Sequence, residues 1–246
     1  MINLNSVSNI IFLDIETASQ FKSHKSMHEA KRKIWSKKAD SIRARDRNLI
    51  NDSDASLYHK RAAINAEFGR IVCISLGFLS YDPSGWSIKL RSFHGRDETS
   101  ILAEFKKLIE SAAQGASFTH LAGHNIREFD IPYICRRMLA NSMGLPAYFD
   151  FRQKRPWQIH KLIDTLDLWR FGDFKTYASL ETLCDLLAIP SPKSRMDGSE
   201  VSDHFWTHET TESIAEYCEK DVVATIMLYL KLHNVDLDYD PRLVHV

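Results

Sequence analysis

Three short patterns carry the residues best suited to chemistry. Asp14 and Glu16 stand two apart within I-I-F-L-D-I-E-T, residues 10–17; Asp130 closes the run H-N-I-R-E-F-D, beside Phe129 and downstream of Asn125; Tyr217 and Asp221 are four apart. Carboxylates withdrawn from water repel one another, and each costs on the order of several kcal/mol unless something pairs with it. A hard divalent cation is the partner their oxygens suit, so the chemistry on offer is cation-assisted.

None of the three is decisive alone. D-x-E also fits a strand that ends at Leu13 and leaves both acids in solvent at a sheet edge. Asp130 also fits a helix N-cap, with Pro132 taking an early helical position. Tyrosine and aspartate four apart arise often by chance.

The elements that must position these residues are legible from periodicity. Ile10–Thr17 is short, apolar and rich in β-branched residues, the pattern of a strand buried on both faces. Residues two apart on it share a face, so Asp14 and Glu16 project together. Arg70–Tyr81 and Trp86–Phe93 are strands joined by D-P-S-G turn chemistry, which predicts three consecutive antiparallel strands. Asp97–Gln114 is a helix with one apolar face, Phe118–Gly123 a fourth strand, and Asp130–Met143 a helix stopped by Gly144 and Pro146. Leu162–Asp164 is a short fifth strand preceding Leu166–Phe171, and Ser179 caps a helix reaching Ala188. Thr210–Asn234 is the long last helix; its apolar stripe includes Tyr217 and so turns Asp221 inward. The prediction is one α/β domain over residues 1–246 whose first strands are antiparallel. Asp130 falls at a strand-to-helix junction, where open α/β sheets place ligands.

Charge is segregated although the net is zero. After the first strand comes a polar insertion at about residues 20–68. Within it Lys22–Arg61 holds twelve Lys or Arg against five Asp or Glu, and residues 152–161 hold four basic residues and no acid. Such segments attract polyanions or form solvated helical surfaces. Lys25–Arg47 predicts a helix with a narrow stripe of Met27, Ile34, Trp35 and Ile42, Asn51–Ser56 a loop and helix start, and Leu57–Phe68 a second helix. His24 and His28, four apart there, fit a solvated face or a different metal-dependent hydrolase, with no third ligand nearby. Cys73, Cys135, Cys184 and Cys218 are scattered and form no C-x-x-C, which argues for buried thiols rather than disulfides or a cysteine zinc site. No apolar run approaches the roughly 18 residues of a membrane span, and residues 1–9 lack a signal pattern; the expectation is a cytoplasmic protein without membrane attachment.

Taken in order, D-x-E on the first strand, N-x-x-x-F-D after the fourth and Y-x-x-x-D on the last helix resemble the acidic motifs of the DEDDy exonucleases of the ribonuclease H-like superfamily. The closest likeness is to stand-alone bacterial proteins related to the exonuclease domain of B-family DNA polymerases. K-R-A-A-I-N-A-E-F-G-R-I-V-C-I-S from Lys60, S-L-E-T-L-C-D-L-L-A-I-P from Ser179, D-G-S-E-V from Asp197 and I-A-E-Y-C-E-K-D-V from Ile214 add to it. The resemblance implies a ribonuclease H-like mixed five-stranded sheet, three antiparallel strands then parallel strands, flanked by helices, with the basic helical insertion after the first strand.

The resemblance also implies a two-cation site for Mg²⁺ or Mn²⁺, the ions about 4 Å apart. Asp14, Glu16 and Asp221 would hold the tighter ion, and Asp14 would bridge to a second that Asp130 reaches mainly through water. Tyr217 matches the position that orients the attacking water, and Glu216 stands where the sister class has histidine. Phe129 and Asn125 match contacts to the 3′-terminal nucleotides, by stacking and hydrogen bonding, and Thr17 approaches the terminal nucleotide. The implied activity is 3′-5′ hydrolysis of single-stranded nucleic acid, DNA before RNA, to nucleoside 5′-monophosphates, with a place in DNA repair and no polymerase domain in the chain. A catalytically silent binding module on the same fold and an RNA-directed exoribonuclease stay open as alternatives. Asp164 and Ser199 have no assigned role.

Overall fold

The structure is a computed structural model and describes residues 7–115, 118–155, 158–173, 175–190, 198–235, 237 and 241–246. Strands β1 (Ile10–Ser19), β2 (Gly69–Asp82), β3 (Gly85–His94), β4 (His120–Gly123), β5 (Leu162–Asp164) and β6 (Arg242–His245) form a six-stranded sheet in the order β5-β4-β1-β2-β3-β6. β1, β2 and β3 are antiparallel neighbours, β4 pairs parallel to β1, β5 to β4, and β6 to β3. The expected five-stranded sheet thus gains an edge strand, R-L-V-H, which is too short to announce itself by alternation.

The helices are α1 (Glu29–Arg45), α2 (Asp54–Arg61), α3 (Glu98–Gln114), α4 (Asp130–Ala140), α5 (Thr165–Arg170), α6 (Leu180–Leu186), α7 (Val201–Thr207) and α8 (Glu212–Leu232). Among the described residues no helix is long and apolar enough to cross a membrane.

Alternation along β1 decides where its acids go. Leu13 and Ile15 turn to one face and share a core with Ile101, Leu102 and Phe105 of α3 and Ile131 and Ile134 of α4. Ile10 and Phe12 turn to the other face, against Val222, Ile226 and Tyr229 of α8, and Ala18 continues that row against Ile214 and Cys218. Asp14 and Glu16 lie between Phe12 and Ala18, so the period of two delivers both to the α8 side. Helix α8 lies close over the sheet because Gly77 faces it: a Cβ there would stand 2.6 Å from Val222 Cγ1 and 3.1 Å from Leu90 Cδ2.

The insertion leaves from the carboxyl end of β1, directly past these acids. α1 and α2 bury Trp35, Ala39, Leu57 and Phe68 in a small core of their own, and Trp35 Nε1 donates to the Asp54 carbonyl at 2.8 Å. Two expectations change here. Ile34 is 60% exposed, and Ala39, one turn beyond Trp35, fills the stripe instead. The second helix opens at Asp54, where the Ser53 hydroxyl accepts the Ser56 N–H, and it stops at Arg61; residues 62–68 are turns. A buried ion pair anchors the returning chain. Arg137 and Glu98, both 5% exposed, meet at 2.6 Å; Glu98 also accepts the Ile71 N–H and Arg137 donates to the Ala66 carbonyl. One pair thereby ties α3, α4, β2 and the end of the insertion.

Candidate active site

Three elements bring the acids to one place. On β1, Asp14 stands opposite Ser75 and Glu16 opposite Cys73, and the register slips immediately after Glu16, a bulge that re-aims the strand as it leaves the sheet. On α8, Tyr217, Cys218 and Asp221 share the face turned to β1. Asp130 is the first residue of α4, and Phe129 occupies the cap position without a side-chain cap bond. The N-cap reading of Asp130 therefore does not hold: the residue is 3% exposed and its carboxylate accepts the Ile15 N–H of β1.

The electrostatics follow from that convergence. Burial pushes Asp14 well above the usual carboxylate range, and Asp130 and Asp221 push it further, while the Cys218 thiol pulls it back. Glu16 is raised by burial, then by Asp14 and Asp221. Asp130 is pushed up to about 8 by burial, with Asp164 adding to the rise and the Ile15 N–H opposing it. Asp221 is pushed up to about 6 by burial, lowered by a hydrogen bond from Tyr217 and raised by Glu181 at the start of α6.

The buried acids could hold a cation. Glu16 is 8% exposed and has no hydrogen-bond or ion-pair partner among the described residues. A buried carboxylate left so, beside like charges, is stable as an anion only with a cation. Asp14, Glu16 and Cys218 offer ligand atoms that all lie within 4.8 Å of one another. His24 and His28 join no such group among the described residues; their rings meet Tyr58 and Phe21 edge-on.

The residues expected at the nucleotide side are placed less uniformly. Asn125 takes a left-handed backbone, φ 63°, and its Oδ1 is buried without a partner among the described residues. Asp164, 4% exposed, explains that loop: it accepts the backbone N–H groups of Asn125 at 2.8 Å, Arg127 at 3.1 Å and Leu166 at 3.0 Å. It organises the segment between β4 and α4 without entering the acid cluster. Phe129 is half-buried, its ring 5.4 Å from that of Tyr133. Thr17 is 7% exposed; its hydroxyl bonds Tyr133 Oη, which donates to the Ala63 carbonyl at 2.6 Å. Only glycine fits beside that hydroxyl, since a Cβ at Gly69 would stand 2.1 Å from it.

The D-G-S-E-V segment has a place too, although Asp197 lies outside the described residues. A Cβ at Gly198 would be 3.7 Å from Tyr217 Oη. The helix that follows, α7, pins the end of β1, where Ser202 Oγ accepts the Ser19 N–H and Trp206 donates to the Ser19 carbonyl. Sequence reasoning missed Cys218 and Glu181. Cys218 lies three before Asp221, and that i, i+3 spacing was the available signal.

Residues 63–242 match the family described as predicted 3′-5′ exonucleases related to the exonuclease domain of PolB. No curated protein matches the chain. Among solved structures, the family B DNA polymerase from the hyperthermophilic archaeon Pyrobaculum calidifontis is similar, with a TM-score of 0.57 and 14% identity over 91% of this chain and 24% of the polymerase. The chain spans about a quarter of that polymerase, and at this identity the likeness speaks for the fold, the ribonuclease H-like one expected. With most of its length matched, the chain belongs to the family of predicted 3′-5′ exonucleases related to the exonuclease domain of PolB.

Proposed function

We propose that the chain is a metal-dependent DEDDy exonuclease that shortens single-stranded nucleic acid from its 3′ end, DNA before RNA, releasing nucleoside 5′-monophosphates. The observation that carries this is Glu16, buried without a hydrogen-bond or ion-pair partner among the described residues in a cluster with Asp14, Asp130 and Asp221. Asp14, Glu16 and Asp221 would hold one Mg²⁺ or Mn²⁺ and Asp130 would help hold a second. Bound there, the cations supply charge for the scissile phosphate and lower the pKa of the attacking water.

The chain's own groups do the rest. Tyr217, with its hydroxyl on Asp221, orients the water by hydrogen bonding. Phe129 offers a stacking face and Asn125 an amide oxygen to the terminal nucleotides, the way unpaired strands are held with little sequence preference. Thr17 lines the same end of β1. The insertion supports the reading by its charge. The five acids of Lys22–Arg61 are engaged by Lys33, Arg43, Lys60 and Arg61. Lys22, Lys25, Arg32, Lys37, Lys38, Arg45 and Arg47 have no carboxylate partner among the described residues, and such unpaired cations would suit the phosphates of a strand.

The test uses matched 5′-labelled DNA and RNA single strands with Mn²⁺. Stepwise shortening from the 3′ end, abolished by EDTA, Asp14→Asn and Asp130→Asn, is expected, with DNA cut faster. Binding without shortening would establish the silent module instead.

A further inference from the structure

Two thiols lie under the acid cluster. Cys73 of β2 and Cys218 of α8 are both fully buried and hydrogen-bonded to each other. Cys218 Sγ stands 3.4 Å from both the carbonyl oxygen and Oδ2 of Asp14, whereas Cys73 Sγ also meets Ser75 Oγ at 3.4 Å. Among the described residues, Cys218 alone joins Asp14 and Glu16 in a group whose ligand atoms all fall within 4.8 Å of one another. Glu16 is the independent sign that this group awaits a cation, being more than nine-tenths buried and lacking a hydrogen-bond or ion-pair partner among the described residues.

A thiol among the ligands changes which cation fits. Carboxylate oxygens suit hard ions such as Mg²⁺, while a thiolate selects softer ones, and zinc accepts three protein ligands with one position open to water. We infer that Asp14, Glu16 and Cys218 form a site for a thiophilic divalent cation of the zinc class. On binding, the cation takes the place of the Cys218 thiol proton, which leaves to solvent; nothing is oxidised or reduced. With a hard ion the thiol stays a hydrogen-bond donor to Asp14. With a thiophilic ion it becomes a ligand and removes Asp14 and Glu16 from use. Binding stands on the geometry alone; only its consequence, inhibition by zinc, rests on the exonuclease reading.

The test titrates the full chain, freed of metal, with Cd²⁺ and follows the ultraviolet thiolate-to-cadmium charge-transfer absorption. The band should saturate at one equivalent, vanish when Zn²⁺ is added in equal amount, and survive excess Mg²⁺. It should be absent from Cys218→Ser and present in Cys135→Ser. Loss of even an outer partner of a metal ligand lowers metal affinity about 10–100-fold, so Cys218→Ser should lose at least that for zinc. If Cys218→Ser does not fold, Glu16→Gln, which keeps every thiol, should weaken Cd²⁺ binding. No band at one equivalent in the unaltered chain overturns the site, as does a band that survives Cys218→Ser but disappears in Cys73→Ser. Hydrolysis with Mn²⁺, measured on the same preparation, separates the two claims. A band without hydrolysis upholds the site and defeats the exonuclease; hydrolysis without a band does the reverse.

Discussion

Asp130→Asn should make the metal-free protein more stable while removing its activity. The acid sits 3% exposed and its pKa moves from 3.8 to about 8 on folding. A raised folded pKa means that the folded chain binds the proton more tightly than the unfolded one. The stability linked to Asp130 is therefore full below about pH 4 and falls as pH rises toward 8. At about 1.36 kcal/mol per pH unit above 3.8, the ceiling on this destabilisation at pH 7 is about 4 kcal/mol. Asparagine has the same shape, keeps an oxygen for the Ile15 N–H and carries no charge. At about 2–4 °C per kcal/mol for a chain of this size, the variant should melt higher by up to roughly 15 °C at pH 7 in EDTA. Circular dichroism melts of both proteins from pH 4 to 8 provide the measurement. The difference should vanish at pH 4 and grow with pH, and Mg²⁺ should narrow it by stabilising the unaltered chain. Equal melting at every pH, or a variant less stable at pH 8, would refute the argument that buried charge rather than packing governs this position.

Tyr217→Phe removes the hydroxyl bonded to Asp221; turnover should fall about 10–100-fold, the usual effect of losing a ligand's hydrogen-bond partner, with strand affinity nearly unchanged, as single-turnover and binding assays would separate. Replacing Arg32, Lys37 and Lys38 together with Ala should weaken single-strand binding and flatten its dependence on salt; an unaltered salt slope would place the strand elsewhere. Arg137→Ala leaves Glu98 charged and buried, so a loss of about 3–5 kcal/mol in urea unfolding is expected.

What could be read from the residues followed local rules. The period of two that puts Asp14 and Glu16 on one face, and the stripe that turns Asp221 inward, are properties of a strand and a helix taken singly, and the structure has both. The D-P-S-G hairpin and the Ser179 cap are likewise local. What escaped depends on partners far away in sequence. Asp164 reads as the end of a strand until its three backbone donors, two of them in the loop after β4, are seen around it. Taken alone Asp130 reads as a cap, because only the fold puts Ile15 against it. Ile34 reads as core because propensity cannot say which of two adjacent apolar residues an insertion of this kind will bury; the answer came from Trp35 fitting against Tyr58 and Phe68.

One hydrogen atom has an outsized influence on this molecule. Gly77 carries nothing where any other residue would carry a carbon, and the stiff branch of Val222 occupies that room. The separation between the two halves of the acid cluster is thus gauged at a point bearing no charge and touching no carboxylate. A relative that acquired a methyl group there would retain every acidic motif and the tyrosine, yet would have to move Val222 or the helix that carries it. Silence in such a descendant would be a matter of spacing, invisible to any inventory of its motifs.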